Sequence, residues 1–176
     1  MANSMDPHRP FAHSAQEKEV WPDEIIAEPS SHYETSEIEV PSFLPKIPKV
    51  EQEITEYYNS VKRLDDTVGA ILEVLKSEKV EDNTIVMFLS DNGMALPYAK
   101  TNAYLNSTKT PWIVRLPNVI RAGTVDDTHL ISGVDFLPTI LEAAGLSEPK
   151  KLSGNSFLPL LKGEQFERDA IFYHFP

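Results

Sequence analysis

The six residues Thr84 to Leu89 (TIVMFL) constrain the fold more than any other stretch, because they join β-branched and large apolar side chains without a polar alternation. A half-exposed strand alternates, since successive side chains point to opposite faces; an unbroken apolar run reads as a strand covered on both faces, the usual state of a parallel sheet in an α/β protein. The run leads straight into Ser90-Asp91-Asn92-Gly93. Ligands of open α/β sheets gather at the carboxyl ends of strands. Gly93 permits a sharp turn there, so the Asp91 carboxylate and the Asn92 amide oxygen can be brought to one point, and such an oxygen pair suits calcium or magnesium. Asp-Asn-Gly is also an ordinary turn sequence, so the metal assignment depends on what accompanies it.

Helix and strand signals around this run repeat the unit of a layered α/β fold. From about Glu53 to Ser77 the residues Ile54, Tyr57, Val61, Leu64, Val68, Ile71, Leu72 and Leu75 recur at intervals of three and four, which predicts an amphipathic helix. Asp65 and Asp66 on that helix lie about 100° apart around its axis, so they read as a solvated or fold-stabilising face and not as a catalytic pair. A further strand is expected at Trp112 to Leu116 between two prolines, and a second helix from Asp135, a candidate N-cap, to a stop at Gly145. Ile171 to Phe175 reads as a final strand. Residues 1–16 form a loop in which Pro7 and Pro10 fix the surroundings of His8, and residues 17–50, rich in Pro, Glu and Ser, form a long irregular segment.

The 176 residues, 41% hydrophobic, suffice for a real core. The net charge of -11 argues against general nucleic-acid binding, and an anionic substrate would need local positive charge. No apolar run approaches the ~20 residues that span a bilayer, so no membrane role is expected, and MANSMDPHRP lacks the regions of a signal peptide. Without a cysteine the chain has no disulfide, thiolate metal site or cysteine nucleophile.

In order along the chain, DPHRPF, YYNSVKRLDDTVGAIL, FLSDNG, AKTNAYLNSTKTPW and VDFLPTILEAAGL resemble the type I sulfatases of the alkaline phosphatase superfamily, with spacing similar to heparan N-sulfatase-like members. The resemblance implies an alkaline-phosphatase-like α/β sandwich, with a mostly parallel sheet flanked by helices and incomplete at its N-terminus. It also implies a partial sulfatase domain over residues 1–176, with a C-terminal subdomain beginning near residue 150. In such enzymes a divalent cation, usually calcium with magnesium as the alternative, holds the sulfate oxygens beside a formylglycine nucleophile. On that pattern Asp91 and Asn92 fall on metal ligands, His8 on a histidine contacting the sulfate and its leaving group, and Lys100 on a basic residue of the sulfate pocket. Arg9 and Lys109 are supporting substrate-binding residues. Sulfuryl transfer builds charge on the equatorial and departing atoms, so a cation, a fixed ammonium and a proton donor suit it.

The early aspartate pair and the C/S-x-P-x-R nucleophile motif of the family are absent from these residues. Met1 is therefore expected to be an internal methionine of a longer enzyme whose N-terminal portion supplies both, and the chain alone is expected to be poorly stable and inactive on sulfate esters. The expected function is hydrolysis of sulfate esters or sulfamates of a small molecule or glycan, in a periplasmic, secreted or lysosomal-like setting by resemblance. A phosphoester or phosphonate hydrolase of the same superfamily and a non-catalytic truncated paralogue are the alternatives.

Overall fold

Two helices dominate the first of the two units into which the chain divides, Met1–Val80 with Asn92–Lys109: α1 (Ala15–Val20) and α2 (Pro48–Ser77), followed at the end of the unit by the single turn α3 (Leu105–Thr108). The computed structural model describes residues 2–147, 149 and 151–173. Helix α2 begins five residues before the expected Glu53: Ile47 is extended, and Pro48, which has no N–H to leave unpaired, occupies the first turn. Ile54 packs with Phe11, Leu44 and Leu96 in the core of this unit, flanked by Tyr57 and Tyr58.

The rest of the buried face of α2 is polar; Thr55 donates back to the Glu51 carbonyl of the helix itself, and Asn59, Ser60 and Arg63 take up backbone or charged groups of the segments that cross it. Ser60 Oγ accepts from the Ala12 amide at 2.7 Å, and Asn59 Oδ1 from the Tyr33 amide at 2.8 Å. Asp66 accepts from both the amide and the hydroxyl of Ser30, each at 2.7 Å. Lys62 at 2.8 Å and these Ser30 donors hold the Asp66 carboxyl down to about 2. Farther along, Val61 and Ile71 of the apolar stripe are exposed, as is Val74 beside it.

The irregular segment expected over residues 17–50 is thus fastened to α2 at several points, and it is not irregular throughout. Helix α1 runs into its start, and a 3-10 turn covers Thr35–Glu37. The sequence carried a signal for α1, the Ser14-x-x-Glu17 pattern of a capped helix start: Ser14 Oγ accepts from the Glu17 amide at 3.1 Å.

The second unit comprises Glu81–Asp91 and Thr110–Pro176. Strand β1 (Val86–Leu89) pairs antiparallel with β2 (Trp112–Arg115), with Val86 opposite Arg115 and Leu89 opposite Trp112. The expected strand at Thr84–Leu89 therefore forms over its last four residues, but it is half-buried and has no parallel neighbour among the described residues. The connection from Leu89 to Trp112 holds only the single turn α3 and no crossover helix of the kind that usually returns a parallel strand. The other helices are α4 (Phe136–Ala143) and α5 (Leu158–Leu161), with Trp112 stacked edge-on to Phe157 at 5.1 Å between centroids.

Asp135 does not cap α4 through its side chain as expected. Its fully buried carboxylate accepts instead from the Ser132 amide (2.7 Å), the Asn155 amide (2.9 Å) and both terminal nitrogens of Arg168 (2.5 and 2.7 Å). Burial opposes its ionisation, yet Arg168 and the two amides more than offset this and hold its pKa below the ordinary value. Gly145, with φ of 68°, ends α4 as expected. Ile171 to Tyr173 form no strand, and His174 and Phe175 lie outside the described residues. No described helix is long and apolar enough to cross a membrane.

Candidate active site

His8 projects from a loop that is fixed on both sides. Before it, the Asp6 carboxylate receives Nε and Nη2 of Arg63 at 2.8 and 2.9 Å; after it, Phe11 and Ala12 are buried against α2. The His8 amide closes the turn on the Met5 carbonyl at 2.7 Å, and the Asp6-Pro7 and Arg9-Pro10 peptides are cis. The imidazole is exposed, with Nδ1 2.7 Å from the Arg9 carbonyl. A carbonyl only accepts, so Nδ1 carries the proton and Nε2 is the nitrogen turned to other chemistry.

Arg9 joins this loop to the one that follows Asn92. Its Nε donates to the Ala95 carbonyl at 3.1 Å, its Nη2 pairs with Glu53 of α2, and its guanidinium lies 4.7 Å from the centre of the Phe11 ring. Burial lowers its pKa, with Glu56 opposing that shift.

Gly93 begins the second loop, and its φ is not in the left-handed region, so a sharp turn is not what requires glycine here. The requirement is close approach: a Cβ would stand 2.0 Å from the Asn106 carbonyl oxygen and 2.3 Å from that of Ala99. Gly93→Ala is expected to destabilise the protein by at least about 2 kcal/mol, since two backbone oxygens must move; an unchanged thermal midpoint would mean that the loop yields freely.

Lys100 owes its position to the turn that follows it. Thr101 Oγ1 and Asn102 Nδ2 both donate to the Lys100 carbonyl, at 2.7 and 2.9 Å, while Asn102 Oδ1 accepts from the Tyr104 amide at 2.8 Å. Thr101 sits at φ of 58°, unusual for a β-branched residue and of the kind that clusters at functional sites. Among the described residues no carboxylate pairs with the Lys100 ammonium.

His8, Arg9 and Lys100, distant in sequence, line one open cleft of about 370 Å³ together with Leu96, Pro97 and Thr101. His8 also borders a second hollow of about 310 Å³ walled by Trp21, Ile25 and Arg63. Lys109, exposed at the end of α3, does not line the cleft. Asn92 is half-buried, its amide nitrogen donating to the Gly93 carbonyl at 3.1 Å, and Asp91 is exposed at the end of the second unit's first segment. Reading the sequence missed Arg63, Glu53 and Asn102, which position the cleft residues; Arg63 and Glu53 act through partners more than 40 residues away, which local pattern does not show.

The chain belongs to the sulfatase family, whose model matches residues 2–146. It is 38% identical over 99 residues to an ulvan-active sulfatase of Formosa agariphila, covering 56% of this chain and 16% of that protein. To the N-sulphoglucosamine sulphohydrolase of Homo sapiens it is 34% identical over 107 residues, 60% of this chain and 21% of that one. The chain thus spans about a fifth or less of the length of these relatives. Among solved structures it resembles a protein in complex with its substrate D-glucosamine-2-N,6-O-disulfate, with a TM-score of 0.59 and 26% identity over 73% of this chain and 29% of that one. A phosphonate monoester hydrolase of Silicibacter pomeroyi shares the fold, with a TM-score of 0.56 and 22% identity over 79% and 28%. The fold is the alkaline-phosphatase-like one, represented here in part.

Proposed function

We propose that this chain is the part of a sulfatase that grips the sulfate oxygens and protonates the leaving group, and that the substrate is a sulfated sugar. The observation that carries the reading is the shared cleft of His8 and Lys100. The Lys100 ammonium supplies fixed positive charge to oxygens that become more negative in the transition state, at no cost of reorganisation. His8, whose Nδ1–H is held by the Arg9 carbonyl, would act as the imidazolium, with a second proton on Nε2 that passes to the departing oxygen or nitrogen and leaves the ring neutral. Arg9 acts mainly by holding the two loops together, and Lys109 contributes charge from outside the cleft.

Asp91 and Asn92 would hold the divalent cation. An exposed carboxylate and an amide whose nitrogen is engaged at Gly93 offer hard oxygen donors, which fit calcium, or magnesium, better than softer metals. When bound, the cation would neutralise sulfate oxygens as a Lewis acid. The sugar preference rests on the N-sulphoglucosamine sulphohydrolase and the glucosamine-disulfate complex among the similar proteins. The formylglycine nucleophile has no precursor motif within these 176 residues, so the proposal assigns it to another part of the enzyme. In that enzyme Asp91→Ala and Asn92→Ala should each lower calcium content and sulfate release together. Calcium content that stays at the wild-type level in both variants contradicts the ligand assignment.

A further inference from the structure

Outside the cleft, His13, Glu28 and His32 bring two imidazoles and a carboxylate together, with one ligand atom of each lying within 4.8 Å of the others. We propose that these three side chains form a second metal site, selective for a borderline transition-metal dication such as Zn2+, that clips the segment around residues 28–32 to the turn before α1. His13 Nε2 lies 2.5 Å from Glu28 Oε2, and the His13 and His32 rings stand 4.9 Å apart at 39°. Metal–ligand bonds of about 2.0–2.2 Å require donor atoms about 3.5 Å apart, so gaps of up to 4.8 Å must close by at most about 1.3 Å and the 2.5 Å His13–Glu28 pair must open by about 1 Å, both within reach of rotations of exposed side chains.

The backbone that presents these groups is already held. The His13 amide donates to Glu17 Oε2 at 2.6 Å, and Glu17 Oε1 receives Arg63 Nη1 at 2.8 Å. His13 itself follows buried Ala12, whose amide is bound by Ser60 of α2. On the other side, Ser30 is fastened to Asp66 and Tyr33 to Asn59, which brackets His32 and leaves Glu28 two residues from an anchor. Both sets of ligands are therefore referred to the same helix, and little conformational entropy remains to be lost on binding. Two imidazoles with one carboxylate favour zinc, nickel or cobalt and leave positions for water, whereas the all-oxygen pair Asp91 and Asn92 favours a hard cation.

The proposal is independent of the sulfatase reading, because its readouts are metal binding and thermal stability and not sulfate release. Titration of the metal-free protein with Co2+ should give visible absorption bands that saturate at one equivalent, vanish on adding Zn2+ and persist in excess Ca2+. Zn2+ should raise the thermal midpoint of the wild type. His32→Ala and Glu28→Gln, both at exposed positions, should weaken Co2+ binding about 10-fold or more with unchanged circular dichroism, and the double variant His13→Ala/His32→Ala should abolish the bands. Absence of Co2+ binding by the folded wild type, displacement by Ca2+, or bands that survive in the double variant would overturn the assignment.

Discussion

Replacing Arg63 by methionine is expected to lower stability by about 3–5 kcal/mol, the cost of breaking a buried ion pair by removing one partner. Arg63 is 8% exposed and binds two carboxylates at once, Asp6 through two nitrogens and Glu17 through a third. The Asp6 hydrogen bond, acting against burial and joined by Glu17, raises the pKa of the guanidinium above its ordinary value. Methionine keeps most of the apolar stem but leaves Glu17 buried without a cation and releases the start of the loop that carries His8. Lysine should recover only part of the loss, since a single ammonium cannot reproduce the fork that meets both acids. Denaturant unfolding of the two variants checks this; a loss under about 1 kcal/mol for methionine would place the pair with ordinary surface salt bridges.

Local pattern carried much of the fold into view and missed what depends on distant partners. The strand before Asp91 was legible as a short unbroken run of β-branched and large apolar residues, and α2 through its three-four spacing, the period that burial of one helix face imposes. The start of α2 was misplaced because Pro48 looks like a breaker yet suits a first turn, and α1 was passed over although Ser14 and Glu17 mark its start. Asp135 looked like a cap because its position before an apolar helix fits one; Arg168, 33 residues away, claims its carboxylate. The parallel sheet was inferred from the unbroken apolar run and from the family resemblance, neither of which names the neighbour of this strand, and β1 pairs antiparallel with β2. At the cleft, His8 and Lys100 stood out through their motifs, while Asn102 and Thr101, which fix the Lys100 turn, had no signal of their own.

Substitution of His8 or Lys100 by alanine is expected to reduce sulfate release by about 100-fold or more in each case, through loss of the proton donor and of the fixed positive charge. Stability should hardly change. The His8 imidazole is exposed, its one described side-chain hydrogen bond is to the neighbouring Arg9 carbonyl, and the turn at Lys100 is built on that residue's carbonyl and not on its ammonium. The two losses should also differ in kind: the penalty at His8 should shrink with a leaving group that needs no proton, such as a nitrophenolate, while that at Lys100 should persist. Steady-state sulfate release from N-sulfated glucosamine and from a nitrophenyl sulfate, measured for the sulfatase containing this chain and for both variants, tests the account most directly. It predicts deep losses on the sugar substrate, with partial recovery of the His8 variant alone on the aryl sulfate, at unchanged thermal midpoints. Wild-type turnover in either variant, or lost turnover explained by an equally large loss of stability, would contradict it.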